Sequence, residues 1–123
     1  MAGDFDDKEP TGILELSVEI LANLRAKPPA LELVSGPDAP RLVALGKDRM
    51  VVGRSKEADV HVESLDLSRR HFSLSRIETE WVCEDLDSRN GVFLNGLRIH
   101  SAVLRDGDQL QLGRVVFVFH KGR

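Results

Sequence analysis

The sequence has few of the residues on which several common protein classes depend. It contains one cysteine in 123 residues, which excludes an internal disulfide framework and favours a reducing compartment. No apolar run approaches the ~18 residues that a membrane-spanning helix needs. The acidic stretch 4–9 lacks the positively charged start of a secretory signal. We therefore expect a cytoplasmic protein that has no membrane partner.

A shortage of positive charge and of aromatic residues argues against nucleic acid as a partner. The chain has 17 lysines and arginines against 20 acidic residues, a net charge of −3, and it has one tryptophan and no tyrosine. Nucleic-acid polymers are bound through many phosphate contacts, usually with stacking aromatics. Here the basic residues form only a local cluster around Arg69 and Arg70, so we expect no nucleic-acid binding.

Residues that hold metals or carry out catalysis are also not arranged in a known pattern. The four histidines show no metal-ligand spacing, and Cys83 has no second cysteine to pair with. The sequence contains neither a nucleophile motif nor a glycine-rich nucleotide-binding loop. We expect no catalytic residue, no metal and no cofactor, and we therefore expect that the protein is not an enzyme.

What the chain does have is a series of short apolar runs separated by turn residues. Examples are Leu31–Val34, Met50–Val52, Trp81–Asp85 and Val115–Phe119. About ten such strands with frequent turns predict a single all-β sandwich. Asn95-Gly96 lies between Phe93-Leu94 and Leu97-Arg98 and predicts a tight hairpin, because both turn residues tolerate a positive φ.

The N-terminal part follows a different pattern. Residues 1–10 are acidic and predict a flexible tail. From Ile13 to Ala26 the apolar residues recur at helical spacing, Thr11 is suited to an N-cap, and Pro28-Pro29 ends the pattern. We therefore divide the chain into a tail (1–10), an amphipathic helix with a linker (11–29) and a β domain (30–121). The helix needs a partner surface, and the sequence leaves three open: its own domain, a second copy, or another protein.

Polar clusters follow the apolar runs, where the loops of a sandwich are expected. Arg54 offers a planar fork of donors that fits phosphate or carboxylate oxygens. Ser68 adds a hydroxyl donor, and Asn90 offers a donor and an acceptor suited to a peptide main chain. Together these three side chains suit an oxyanion that is attached to an extended peptide.

The order and spacing of these clusters resemble the signature of the forkhead-associated (FHA) domain. The matching segments are Gly53-Arg54, Ser68-x-x-His71, Ser88-x-Asn90-Gly91 and Asn95-Gly96, within roughly residues 30 to 120. The resemblance implies a β-sandwich of two antiparallel or mixed sheets with ten to eleven short strands, here with an additional N-terminal α-helix. It also implies binding of phosphothreonine in partner proteins.

The same resemblance implies a role for each site residue. Arg54 and Ser68 would hold the phosphate, and Asn90 would hold the peptide main chain. Arg69 and Arg89 are further candidates for contact with the phosphopeptide. Many members of the family carry a small hydroxyl residue at the position of Arg89, so this arginine either adds a phosphate contact or points to solvent.

The remaining motif residues are implied to be architectural. His71 would steady the loop that presents Ser68, rather than act as a catalytic base. Gly53 and Gly91 would belong to the structural motif, and Asn95-Gly96 would shape a turn, which completes the set of structural positions.

These inferences define a function and its alternative. We expect an adaptor that binds phosphothreonine proteins downstream of a Ser/Thr kinase. The alternative is a phosphate-independent scaffold that uses the same fold and the N-terminal helix. Thr11 is a candidate phosphosite, because Leu14 stands three residues after it, where FHA domains often read their ligands. The domain would then bind its own tail or that of a second copy; otherwise Thr11 is only a helix cap.

Overall fold

The computed structural model describes residues 27–122, and every regular element in that range is a β-strand. The predicted acidic tail and helix fall on residues 1–26, which lie outside the described residues, and so does Thr11. The eleven strands are β1 (Ala30–Ser35), β2 (Arg41–Ala44), β3 (Arg49–Gly53), β4 (Val60–His61), β5 (Phe72–Ile77), β6 (Glu80–Asp85), β7 (Val92–Leu94), β8 (Leu97–Ile99), β9 (Ser101–Leu104), β10 (Gln109–Leu112) and β11 (Val115–His120). The all-β prediction is confirmed for this part of the chain.

The strands form two sheets. One has six strands in the order β2-β1-β11-β10-β7-β8, and the other has five in the order β4-β3-β5-β6-β9. The registered pairs are antiparallel except β3 with β4, which is parallel. The prediction of two antiparallel or mixed sheets is therefore confirmed.

Strand β9 is the one element that the sequence pattern did not reveal. It forms the edge of the five-stranded sheet, and only Leu104 among its residues is buried. The two residues that begin it, Ser101 and Ala102, give no apolar alternation. A strand that pairs on one side and buries one side chain leaves almost no periodic signal.

The core lies between the two sheets and is built by alternation along the strands. In β11 the residues Val115, Phe117 and Phe119 are buried, whereas the residues between them are partly exposed. Phe72 of the five-stranded sheet meets Phe117 of the six-stranded sheet edge to face, with ring centroids 6.1 Å apart. This contact joins the two layers at the centre of the sandwich.

The strand directions bring several connections to one end of the sandwich. These are the loops 54–59, 62–71 and 86–91 and the turn 113–114, which we call the loop end. Within residues 27–122 there is no helix that is long and apolar enough to cross a membrane.

Candidate functional site

Strand β3 ends at Gly53, where its backbone lies directly against the loop 62–71. Arg54 N donates to Ser68 O at 2.9 Å, and Ser55 N donates to Arg69 O at 3.1 Å. A Cβ at position 53 would lie 2.0 Å from Arg69 O, which is far inside van der Waals contact. Glycine is therefore required at this position, and the close approach fixes where the Arg54 side chain begins.

The Arg54 side chain runs along the same loop. Its Nε donates to Leu67 O at 3.2 Å, and the residue is partly buried. Among residues 27–122 no carboxylate forms an ion pair with Arg54. The remaining guanidinium donors are therefore available for an anionic ligand.

His71 connects the loop 62–71 to the loop 86–91. It is fully buried, and its Nδ1 accepts a hydrogen bond from Ser68 N at 3.0 Å. Its Nε2 lies 2.8 Å from Gly91 O. Because Nδ1 is an acceptor, the ring proton lies on Nε2, which donates to the carbonyl of Gly91. The neutral imidazole thus holds two loops in register.

Burial lowers the pKa of His71 below its ordinary value of 6.5, and this effect outweighs the opposing hydrogen bond to Gly91 and the charge of Asp85. The unfolded state therefore binds the proton more readily than the folded state. The resulting stability is fully present above pH 6.5 and is lost as the pH falls from there toward the lower folded-state pKa.

We expect the free energy of unfolding to fall between pH 7 and pH 5, by no more than about 1.4 kcal/mol per pH unit, the limit for one proton. Denaturant titrations at several pH values measure this. His71→Gln should remove the slope, and His100→Gln, at an exposed histidine, should retain it. The pKa values of Asp59 and Asp66 lie below their ordinary value of 3.8, so these two carboxyl groups change the stability only at pH values below this range. A slope that survives in His71→Gln would contradict the assignment.

Ser68 and Asn90 each form a hydrogen bond that connects the same two loops. Ser68 Oγ accepts a hydrogen bond from Arg89 N at 3.0 Å, so its own hydroxyl proton is left to donate elsewhere. Asn90 Nδ2 donates to Asp66 O at 2.7 Å. Within the described range Asn90 Oδ1 has no hydrogen-bond partner. It can accept from a peptide N–H, while the second amide hydrogen remains a donor.

The loop that carries Asn90 is braced from within. Ser88 N donates to Asp85 Oδ1 at 3.0 Å, and Ser88 Oγ accepts from Gly91 N at 3.0 Å. Gly91 has a φ of +78°, and a Cβ there would lie 2.8 Å from Arg98 Nε. Ser88 and Gly91 therefore shape the loop instead of facing a ligand.

Asp66 and Arg114 add a connection that the sequence motifs did not predict. Asp66 Oδ2 accepts from Arg114 N at 2.8 Å and from Arg114 Nε at 3.0 Å. These hydrogen bonds hold the pKa of Asp66 below its ordinary value of 3.8. The pair fastens the turn 113–114 to the loop whose main chain also receives Asn90. The two residues are 48 positions apart, and no sequence signal joined them.

The structure places the predicted site residues in two groups. Arg54, Ser68, Asn90 and the backbone of Arg89 converge on residues 66–68 at the loop end. Asn95-Gly96 lies at the opposite end of the sandwich, as the two-residue turn between β7 and β8. Asn95 and Gly96 have φ values of 48° and 90°.

The loop end carries a group of exposed arginines, although the chain as a whole is negative. Arg69, Arg70 and Arg89 are exposed there. Within residues 27–122 none of these three arginines forms an ion pair, and no group of histidine, cysteine, aspartate and glutamate could hold a metal ion. These exposed arginines can attract an anion.

Comparison with known proteins identifies the fold family. The family model of the FHA domain matches residues 50–113. The chain belongs to the FHA domain family. It is 33% identical over 100 residues to the oxoglutarate dehydrogenase inhibitor of Corynebacterium efficiens, which covers 81% of this chain and 70% of that protein. It is 32% identical over 87 residues to the glycogen accumulation regulator GarA of Mycobacterium tuberculosis, covering 71% of this chain and 54% of GarA.

Solved structures show the same FHA fold. A chain from a structural and functional study of phosphothreonine-dependent FHA domain interactions superposes with a TM-score of 0.69 at 25% identity, over 75% of this chain and 94% of that one. EmbR of Mycobacterium tuberculosis, in complex with a low-affinity phosphopeptide, gives a TM-score of 0.70 at 27% identity, over 76% of this chain and 24% of EmbR. The chain described here is thus similar to FHA domains that have been studied with phosphorylated ligands.

Proposed function

We propose that this FHA domain binds phosphothreonine peptides at its loop end and acts as a signalling adaptor downstream of a Ser/Thr kinase. The observation that carries the proposal is the convergence of Arg54, Ser68 and Asn90 on the backbone of residues 66–68. Three donors or acceptors from three separate loops are thereby held in one place by backbone contacts.

The phosphate would be held by Arg54 and Ser68. Phosphothreonine brings roughly −1.5 to −2 charges and three acceptor oxygens. The guanidinium supplies charged donors, and the Ser68 hydroxyl, whose oxygen already accepts from Arg89 N, supplies a neutral one. Because no carboxylate in the described range neutralises Arg54, the ligand does not have to displace an existing ion pair.

The peptide main chain would be held by Asn90, whose orientation is fixed by the hydrogen bond to Asp66 O. Arg69 and Arg89 would flank the bound peptide as exposed cations. Two or three charge-assisted hydrogen bonds at ~1.5–3 kcal/mol each offset only part of the cost of association. We therefore expect an affinity near 1 μM, or about 8 kcal/mol.

Two named relatives support a regulatory role without catalysis. One is called an oxoglutarate dehydrogenase inhibitor and the other a glycogen accumulation regulator. By analogy, this chain would act by contacting proteins and would not transform a substrate itself. From the sequence we further propose that it acts in the cytoplasm and binds neither nucleic acid nor membrane. The domain that binds the phosphothreonine protein would comprise residues 30–121.

A peptide library tests the proposal if each sequence is present in three forms, with phosphothreonine, phosphoserine or unmodified threonine at the same position. We expect selection of phosphothreonine peptides over both other forms. If the domain captures the same protein partners before and after those partners are treated with phosphatase, the phosphate-independent scaffold would be favoured instead.

Thr11 would provide a ligand within the same chain once it is phosphorylated. If a kinase phosphorylates it, the domain would bind its own tail or that of a second copy. Kinase-treated wild type should then bind a phosphothreonine peptide more weakly than untreated protein, and Thr11→Ala should show no such change. Identical behaviour of the two treated proteins would leave Thr11 as a helix cap.

We expect the substitution Arg114→Ala to weaken phosphopeptide binding, although Arg114 is not one of the proposed ligand contacts. Loss of the Asp66–Arg114 contact frees the loop that carries Ser68 and receives Asn90. We expect the Kd to rise by roughly threefold to tenfold, the scale of mutations that act through neighbouring residues. Calorimetric titration measures this, with Arg76→Ala as the control, because Arg76 pairs with Asp48 at 3.6 Å away from the loop end. Equal Kd values for both variants would show that the contact does not position the site.

A further inference from the structure

The outer face of the six-stranded sheet, the side turned away from the core, carries exposed apolar residues beside the start of β1. Strand register places Ala30 of β1 beside Ala44 of β2 and His120 of β11, and Glu32 beside Leu42 and Val118. The Leu42 side chain is 68% exposed. A groove of about 820 Å³ runs along these strands, and its lining includes Lys27, Ala30, Leu42, Ala44, His120 and Gly122.

Glu32 and His120 lie among the apolar residues of this face and form a hydrogen bond with each other. His120 Nε2 and Glu32 Oε1 are 2.8 Å apart. A helix laid over these two side chains would therefore cover a hydrogen-bonded pair. On the outer face of the five-stranded sheet, strand register brings Ser73, Glu84 and Ser101 side by side, and the next row holds Ser75, Val82 and Val103.

The chain enters the described region at this groove. Lys27 and Pro28 line it, and a Cβ on Gly122 would lie 2.5 Å from Lys27 O, so the entry point is packed against the C-terminal strand. Only residues 27–29 separate the amphipathic segment Ile13–Ala26 from β1. Three extended residues span about 10 Å, which is too short to carry a helix around to the other sheet.

The preceding segment has the size and the apolar surface that the outer face requires. At ~1.5 Å per residue, a helix over Ile13–Ala26 is about 21 Å long, and the six residues of β1 extend about 20 Å. Its large aliphatic residues cover more than half of the helical circumference, which is far more than a solvated helix carries. These residues are Ile13, Leu14, Leu16, Val18, Ile20, Leu21 and Leu24.

We propose that Ile13–Ala26 packs as a helix on this outer face of its own sheet, antiparallel to β1. The core side of β1 is already filled by the opposite sheet, so the outer face is the apolar surface within reach. In this arrangement the first residues of the helix lie near the loop end, because β1 runs from residues 27–29 toward that end and the helix runs in the opposite direction. Residue 11 is thereby brought to the same end of the sandwich as Arg54 and Ser68.

Hydrogen-exchange mass spectrometry of the full chain tests the packing. We expect amides of 13–26 to exchange at least about tenfold more slowly than in the isolated peptide of the same sequence, because packed helices open rarely. Leu42→Glu on the sheet and Ile20→Glu on the segment should each abolish that protection. Val103→Glu should preserve it, because Val103 is a comparably exposed residue on the other sheet, at 54%.

Three outcomes would overturn the proposal. The first is exchange of 13–26 at the peptide rate in the wild-type chain. The second is protection that survives both Leu42→Glu and Ile20→Glu. The third is protection that disappears on dilution together with a dimer seen by light scattering, which would assign the face to a second copy.

Discussion

Replacing Arg54 with alanine is expected to reduce phosphothreonine-peptide affinity by 100-fold or more. Two charge-assisted hydrogen bonds at ~1.5–3 kcal/mol each are lost together, which corresponds to about 10²- to 10⁴-fold in Kd. From an affinity near 1 μM, binding would become difficult to detect by calorimetry. The folded state should change little, because within residues 27–122 the side chain makes only one hydrogen bond, from Nε to Leu67 O.

Two further variants separate geometry from charge. Arg54→Lys keeps the charge and loses the planar fork, so we expect a loss of about tenfold. Arg105→Ala removes an exposed arginine from the turn between β9 and β10, at the opposite end of the sandwich, and should leave the Kd unchanged. Equal losses for Arg54→Ala and Arg105→Ala would mean that only the overall charge matters.

Replacing Gly53 with alanine is expected to cost about 3 kcal/mol or more of folding stability, at the upper end of overpacking effects. The new Cβ would lie 2.0 Å from Arg69 O and 3.0 Å from Ser68 O, and both are backbone atoms that cannot rotate away. The loop would have to withdraw, which breaks the bonds from Arg54 N and Ser55 N. We expect the Tm to fall by more than about 10 °C in thermal unfolding.

Gly46→Ala is the matched control for this substitution. A Cβ at position 46 meets no atom of residues 27–122 within 4 Å, so the change should stay within about 0.5 kcal/mol of wild type. If Gly53→Ala melts at the temperature of Gly46→Ala, the close approach of the two backbones is not a requirement of the fold.

The fold was largely predictable because its strands alternate regularly or end in marked turns. Apolar positions such as Phe117 and Phe119 repeat with a period of two, and Asn95-Gly96 specifies a two-residue hairpin. Strand β9 was missed because it buries only Leu104. Pairing between distant strands, such as β1 with β11, is set by three-dimensional packing and leaves no local signal.

The site was predictable only to the extent that its residues form a motif. The residue types of Arg54, Ser68 and Asn90 suit a phosphopeptide, and the roles of these three residues and of Gly53 are implied by the resemblance to the FHA signature. The contacts that hold these residues together were not visible in the sequence. Asp66 lies 48 residues from Arg114, and no pattern indicates that a carboxylate near Ser68 pairs with an arginine in another turn.

The most direct test of the central claim is a titration of one selected peptide, in phosphorylated and unphosphorylated forms, followed by the amide NMR signals of the domain. If the three loops hold the phosphopeptide, only the phosphorylated peptide should bind, and the largest shifts should fall on residues 54–55, 66–69 and 88–91. Equal binding of both forms, or shifts confined to the outer face around Leu42, would contradict phosphothreonine recognition at the loop end.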